Sequence, residues 1–163
     1  MKLKILLGVF LLTIASLAYG QYSAEEKAIM KPIEDMFTGM ALGDSALISK
    51  HFEKEITMAT VFTDKAGKTV LRRENSLDGF LKAVAGKHEP FNEPIWNVKI
   101  QVEGDLALVS CDYAFYLGNT FSHCGIDAWQ LIKRDEGWKI FHLVDTRKKE
   151  GCNVPEDVQA KFK

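Results

Sequence analysis

Three cysteines in 163 residues are too few to build a fold from disulfides. The four prolines and twelve glycines form no Gly/Ser linker, and no segment repeats, so nothing divides the chain into domains. Neither sign of charge prevails: 21 basic side chains stand against 22 acidic ones, for a formal net charge of −1. That balance excludes the basic footprint of a nucleic-acid binder, and no acidic or basic tail offers a disordered interaction arm. No apolar run reaches the roughly twenty residues that a membrane-spanning helix needs. What is there is 47% hydrophobic and 26% charged, enough for one well-buried core in one domain.

The longest apolar stretch opens the chain. Lys2 and Lys4 precede Ile5 to Ala18, interrupted only by Thr13 and Ser16, and the stretch closes on Ala18, Tyr19 and Gly20. A positive start, a short apolar core and small residues at Ala18 and Gly20 read as a secretory signal peptide over residues 1–20, cleaved after Gly20. The expectation is a periplasmic or secreted domain over residues 21–163, with no stable membrane insertion once the leader is gone. Two lysines leave with it, so 19 basic residues face 22 acidic ones in the mature chain.

From Ser23 the pattern is helical. Glu26 stands three residues after Ser23, the spacing of a capping box, and Ile29, Ile33, Met36 and Met40 recur along one face. Pro32 falls inside and leaves two readings, a start near Lys31 or a kink. Asp44 caps a short second helix running to Phe52. Ile56–Phe62 and Lys68–Arg73 read as a hairpin around the turn Asp64–Gly67, and Asn75 or Ser76 caps a third helix ending at Gly86. A loop from Pro90 to Pro94 leads into four strands, Ile95–Val102, Leu106–Leu117, Phe121–Arg134 and Trp138–Arg147. Links that short force antiparallel neighbours. The class is α+β: a curved antiparallel sheet of about six strands with three helices on its concave side. Such a cone opens on a mouth where a ligand pocket is expected.

The ending Gly137, Trp138, Lys139, Ile140 and His142, after Leu131, Ile132, Lys133 and Arg134, resembles the close of the nuclear-transport-factor-2-like superfamily. The first helix, Gly43–Asp44, the short helix to His51 and Phe52, the hairpin and the helix at Leu77–Val84 are similar to the same superfamily. The nearest likeness is its lumazine-binding-like subgroup, related to the SnoaL-like cyclases and the ketosteroid isomerases. The resemblance covers Tyr22 to about Arg147, leaving residues 148–163 as a tail. It implies a cone-shaped pocket and a homodimer through the outer face of the sheet. No cofactor is expected, and the isomerases' carboxylate, tyrosine and acid do not map onto Tyr113, Asp112 or Asp127.

Side chains alternate along a strand, so parity decides which of them meet. A two-residue turn between Gly118 and Thr120 groups Ser110, Asp112, Ala114 and Tyr116 with His123, Gly125, Asp127, Trp129 and Leu131. A two-residue turn at Asp135–Glu136 adds Ile140, His142 and Val144 to that face, whereas a three-residue loop through Gly137 removes them. On the first register His142, Asp127 and His123 are the candidate catalytic residues, a carboxylate orienting an imidazole base. Trp129, Tyr116, Asp112 and Trp96 are the candidate ligand contacts, Trp129 as a flat wall. The alternative makes His142 an ordinary sheet histidine and puts Asp112 and Asp127 on a wet outer face or in a dimer interface. No metal is expected, since His123 and His142 lack the short spacings of HExxH or CxxC sites.

His51 and His88 read as capping or surface groups. Cys111 and Cys124 fall in mid-strand, and Cys152 reaches Cys124 only if the tail folds over the sheet, so a bridge and three free thiols both stay open. Three functions remain: an exported binder of a small, largely apolar or aromatic molecule, an isomerase, cyclase or dehydratase with a His/Asp base, or a structural module whose cone is filled by its own side chains. A cavity below about 200 Å³ would favour the last.

Overall fold

The computed structural model describes residues 22–74 and 76–163. The signal peptide read over residues 1–20 and the Asn75 cap therefore lie outside the described residues.

Helix α1 (Ala24–Leu42) starts on the expected capping box: the Ser23 side chain accepts from the Glu26 amide, and Glu26 accepts from the Ser23 amide. It runs unbroken through Pro32, which is buried, and ends on Gly43 at φ 71°. Asp44 Oδ1 then accepts from the Leu47 amide at 2.9 Å and caps α2 (Ser45–Ser49). Strands β1 (Phe52–Thr63) and β2 (Thr69–Glu74) form the hairpin, its turn closed by Asp64 Oδ1 on the amides of Ala66 and Lys68. Helix α3 (Asp78–Ala85) follows, with Ser76 Oγ accepting from the Asp78 amide. The proline-bounded loop holds a two-residue strand, β3 (Phe91–Asn92). Then come β4 (Ile95–Glu103), β5 (Leu106–Leu117), β6 (Thr120–Arg134) and β7 (Gly137–Arg147). The tail carries α4 (Glu156–Gln159) and a 3-10 turn at Ala160–Phe162, elements the sequence reading did not include.

The sheet runs β2-β1-β7-β6-β5-β3, with β4 also on β5. It has seven strands rather than six and is mixed rather than antiparallel, because β1 joins β7 in parallel. Short links dictate antiparallel pairing only for consecutive strands, and β1 meets β7 across nearly the whole domain. Ile29, Ile33 and Met36 of α1, Ile48 of α2 and Val84 of α3 pack with Val109, Trp129, Leu131 and Ile140 in one buried cluster. The three helices thus cover the concave face, as expected. A second cluster lies on the opposite face, where the tail lays Cys152, Val154 and Phe162 against Trp96, Ala114, Tyr116 and Cys124. Cys124 and Cys152 form a disulfide, Cys111 stays a buried free thiol, and Phe162 stacks on Tyr116 at 4.0 Å between ring centroids.

Both strand turns have two residues, since Leu117 pairs with Thr120 and Arg134 with Gly137, which selects the first of the two registers left open at Asp135–Gly137. Each hairpin then slips by one residue. On β6 the pairing passes from Tyr116–Phe121 to Phe115–His123, and on β7 from Leu131–Ile140 to Gln130–His142. Ser122 and Phe141 are the extra residues. A bulge bends its strand and reverses the parity of everything beyond it. That curvature makes the cone, and that reversal decides which side chains face into it.

Candidate functional site

Between the concave sheet face, α1 and α3 lies an open cavity of about 340 Å³. Met36 and Met40 of α1, Phe80 of α3, and Phe91, Phe115 and Leu143 give it apolar walls. Soft methionines and aromatic rings on rigid elements make a surface that accepts flat apolar bodies. Its polar groups come from β5, β6, β7 and the β3–β4 link: Tyr113, His123, Asp127, Asp145, Arg147 and Glu93. Arg72 and Glu74 of β2, both exposed, stand at the rim.

Tyr113 is 1% exposed and its hydroxyl donates to the Thr146 carbonyl at 2.9 Å and to Asp145 Oδ2 at 3.2 Å. Arg147 Nε donates to the same Asp145 oxygen at 2.6 Å. Gly125 permits this arrangement, since a Cβ there would stand 1.8 Å from the Thr146 carbonyl oxygen. The Ile126 amide bonds instead to Thr146 Oγ1 at 3.0 Å, leaving the carbonyl free to turn toward Tyr113.

Asp127 is 3% exposed and its carboxyl group lies beside that of Glu93, where burial favours the protonated form of both. Burial pushes Glu93 up to about 7, against the pull of its bond to Asp127. Burial, followed by the charge of Glu93, drives Asp127 well above the usual carboxylate range. His123 goes the other way: burial, helped by the Arg147 charge, lowers it to about 4. At neutral pH it is an uncharged imidazole, with Nδ1 on Ser122 Oγ at 3.0 Å and its ring stacked on Phe115. Burial also pushes the Cys111 thiol up, which suits a small core hydrophobe rather than a nucleophile.

Of the residues singled out from sequence, His123 and Asp127 line the cavity. His123 makes no hydrogen bond or ion pair with a carboxylate among the described residues. His142 does not reach the cavity: the Phe141 bulge turns it to the outer face, where Nδ1 meets the Thr57 hydroxyl. Trp129 is on the concave side but 1% exposed, sealed in the core with Phe37 edge-on to it, so it is packing rather than an open wall. Asp112 lies on the outer face and accepts from Asn97 Nδ2 at 2.7 Å. Tyr116 and Trp96 are covered by the tail. The Ser122 bulge is the reason, because it separates the even positions of β5 from the odd positions of β6 that a plain hairpin groups together.

Sequence reasoning missed Glu93, Asp145, Arg147 and the inward aim of Tyr113. Glu93 lies in a link with no periodicity to read, and Asp145 and Arg147 turn inward only because of the Phe141 bulge. The alternation Leu143, Asp145, Arg147 was the available signal. Of the remaining histidines, His88 caps α3 through the Val84 carbonyl, and His51 pairs with Asp35 at 2.7 Å, more buried than a surface group.

Residues 24–144 match the family described as "Putative lumazine-binding". Among solved structures the chain is similar to an NTF2-like protein of unknown function from Shewanella baltica, at 17% identity and a TM-score of 0.62, over 80% of this chain and 99% of that one. It is similar to a protein of unknown function with a cystatin-like fold from Nostoc punctiforme, at 11% identity and 0.61, over 80% and 97%. A putative dehydratase of the NTF2-like family from Streptomyces avermitilis aligns at 14% identity and 0.58, over 76% and 95%. At these identities the likeness is one of fold, and the fold is NTF2-like. No curated protein matches.

Proposed function

We propose, from the premise that this chain belongs to the family described as "Putative lumazine-binding", that it is an exported domain holding a small, largely apolar or aromatic molecule in its cone. The observation that carries the reading is the open cavity of about 340 Å³, with apolar walls and a few convergent polar groups. That volume falls in the range of small-ligand sites and well above a cone filled by its own side chains. Export is supported by the leader pattern at Lys2 to Gly20 and by the Cys124–Cys152 disulfide, a bond that persists in oxidising compartments. The test is mass spectrometry of the protein recovered from an exporting host. A mature chain starting at Gln21 with a co-purifying aromatic compound is the expected result. A retained leader overturns the export reading, and failure to bind any of a panel of small aromatic probes overturns the ligand reading.

The outer face is proposed to pair with a second copy. Leu106, Leu108 and Ile126 stand exposed there, beside a groove that includes Gln130 and His142. Sedimentation should give a dimer that Ile126→Lys converts to monomer, and a monomeric wild type would refute the pairing.

A second reading, an isomerase or dehydratase, is favoured by one feature: two neighbouring carboxyl groups line the cavity, both raised by burial toward the range useful to an acid or a base. In it Asp127 and Glu93 act in the place first assigned to His142. Turnover of a carbon acid that survives Asp127→Asn would remove this reading.

A further inference from the structure

Four acidic side chains line the cavity, Glu74, Glu93, Asp127 and Asp145, against two guanidinium groups, Arg72 and Arg147. Neither cation forms an ion pair with Glu93 or Asp127 among the described residues. Arg147 is bound to Asp145, and Arg72 lies over the Phe62 ring at 5.9 Å. Oδ2 of the buried Asp127 meets no N–H or hydroxyl donor. Arg147 faces both carboxyl groups from β7 and lowers them in part, but it makes no ion-pair contact with either, and two carboxyl groups so placed are relieved further by a proton or by a positive partner brought from outside.

The walls indicate what kind of partner. Phe80, Phe91 and Phe115 line the same cavity, and the negative faces of aromatic rings attract a cation. Among the described residues no group of three His, Cys, Asp or Glu is arranged to hold a metal ion. A metal would also leave the apolar walls unused, whereas an organic body fills them.

We infer that the cavity takes an organic cation, a compact aromatic or aliphatic body carrying a protonated amine or amidinium group that pairs with Glu93 and Asp127. The inference rests on the cavity being a small-molecule site. In the free protein burial favours a proton on the pair. A ligand that arrives already protonated replaces that proton, which leaves to solvent, so charge balances without any other reactant. The other groups facing the pair are Asp145 and Arg147 on β7, Tyr113 and Cys111 on β5 and His123 on β6. Between pH 6 and 8 His123 is neutral and the Cys111 thiol and Tyr113 hydroxyl keep their protons, so the carboxyl pair is what titrates. Helices α1 and α3 bring only apolar groups to the lining.

Three isosteric probes separate the possibilities: benzamidinium, neutral benzamide and benzoate, titrated calorimetrically into the purified protein at pH 6 and pH 8. Benzamidinium should bind about tenfold or more tighter than benzamide, with benzoate weakest. Its affinity should rise from pH 6 to pH 8. At pH 6 the binding heat should depend on the buffer's ionisation heat, reporting proton release. Asp127→Asn and Glu93→Gln, both near-isosteric, should each erase the preference while benzamide still binds. Equal binding of benzamide, or a preference that survives both substitutions, overturns the cation and leaves the small-molecule reading standing. Binding of none of the three overturns both.

Discussion

His123 and Asp127 stand on the same face of β6, and burial acts on them in opposite senses. The Asp127–Glu93 pair keeps a proton that the unfolded chain releases near pH 4, so unfolding frees a proton between about pH 4.5 and 7 and stability falls as pH rises through that window. His123 stays neutral down to about 4, while the unfolded imidazole takes up a proton near 6.5. Its contribution therefore falls as pH drops, and the two groups oppose each other. Glu93→Gln should flatten the loss of stability between pH 5 and pH 7, and His123→Phe should steepen it. Denaturant midpoints at the two pH values check both, and identical slopes in all three proteins would contradict the assignment. Asp127 and His123 were legible in the sequence as polar residues on an otherwise apolar sheet face. Glu93, their electrostatic counterpart, was not, because it comes from a link between strands and meets Asp127 only in three dimensions.

Among the elements, the last four strands were readable almost to the residue, β5 occupying Leu106–Leu117 as anticipated, whereas β1 starts four residues before the expected Ile56, at Phe52, which the sequence pattern assigns to a second helix that in fact ends at Ser49. The bulges were not readable, for Ser122 and Phe141 carry no residue type that demands one. A single inserted residue reverses the facing of every residue beyond it, so correct strands and correct turns still misplaced His142, Tyr116 and Asp112. Gly125 lies between those two bulges and is the point where the strands crowd most. Gly125→Ala would drive a methyl group into the Thr146 backbone, which cannot yield as a flexible side chain does. A loss of about 3 kcal/mol or more is expected. The Tyr113–Thr146 hydrogen bond should go with it, so probe binding in the cavity should fall even where the variant remains folded. A variant with wild-type stability would show that β7 has room that this geometry denies it.

For the whole molecule, the tail decides how much of the outer face is open. The Cys124–Cys152 bond closes a 28-residue separation and holds Phe162 on Tyr116. Cys152→Ser should cost about 3 kcal/mol by the loop-closure argument. It should also bare Trp96 and Tyr116, seen as a tryptophan emission shift and as faster proteolysis after Lys148 or Lys149. An unchanged denaturation midpoint would mean that the tail is held by packing alone. The cavity is on the opposite face, so its ligand affinity should survive this substitution, unlike Gly125→Ala.

The sequence by itself determined the class of fold, the places of the first three helices with the caps of the first two, the order of the long strands along the chain and the apolar faces, because capping chemistry and hydrophobic periodicity act over a few neighbouring residues. It also brought the chain to its superfamily through the closing strands. Only the tertiary structure decided the parallel contact of β1 with β7, the choice between a bridged and a free Cys152, and which polar side chains share the cone. Those depend on residues far apart in sequence, and on two bulges that no local residue preference announces.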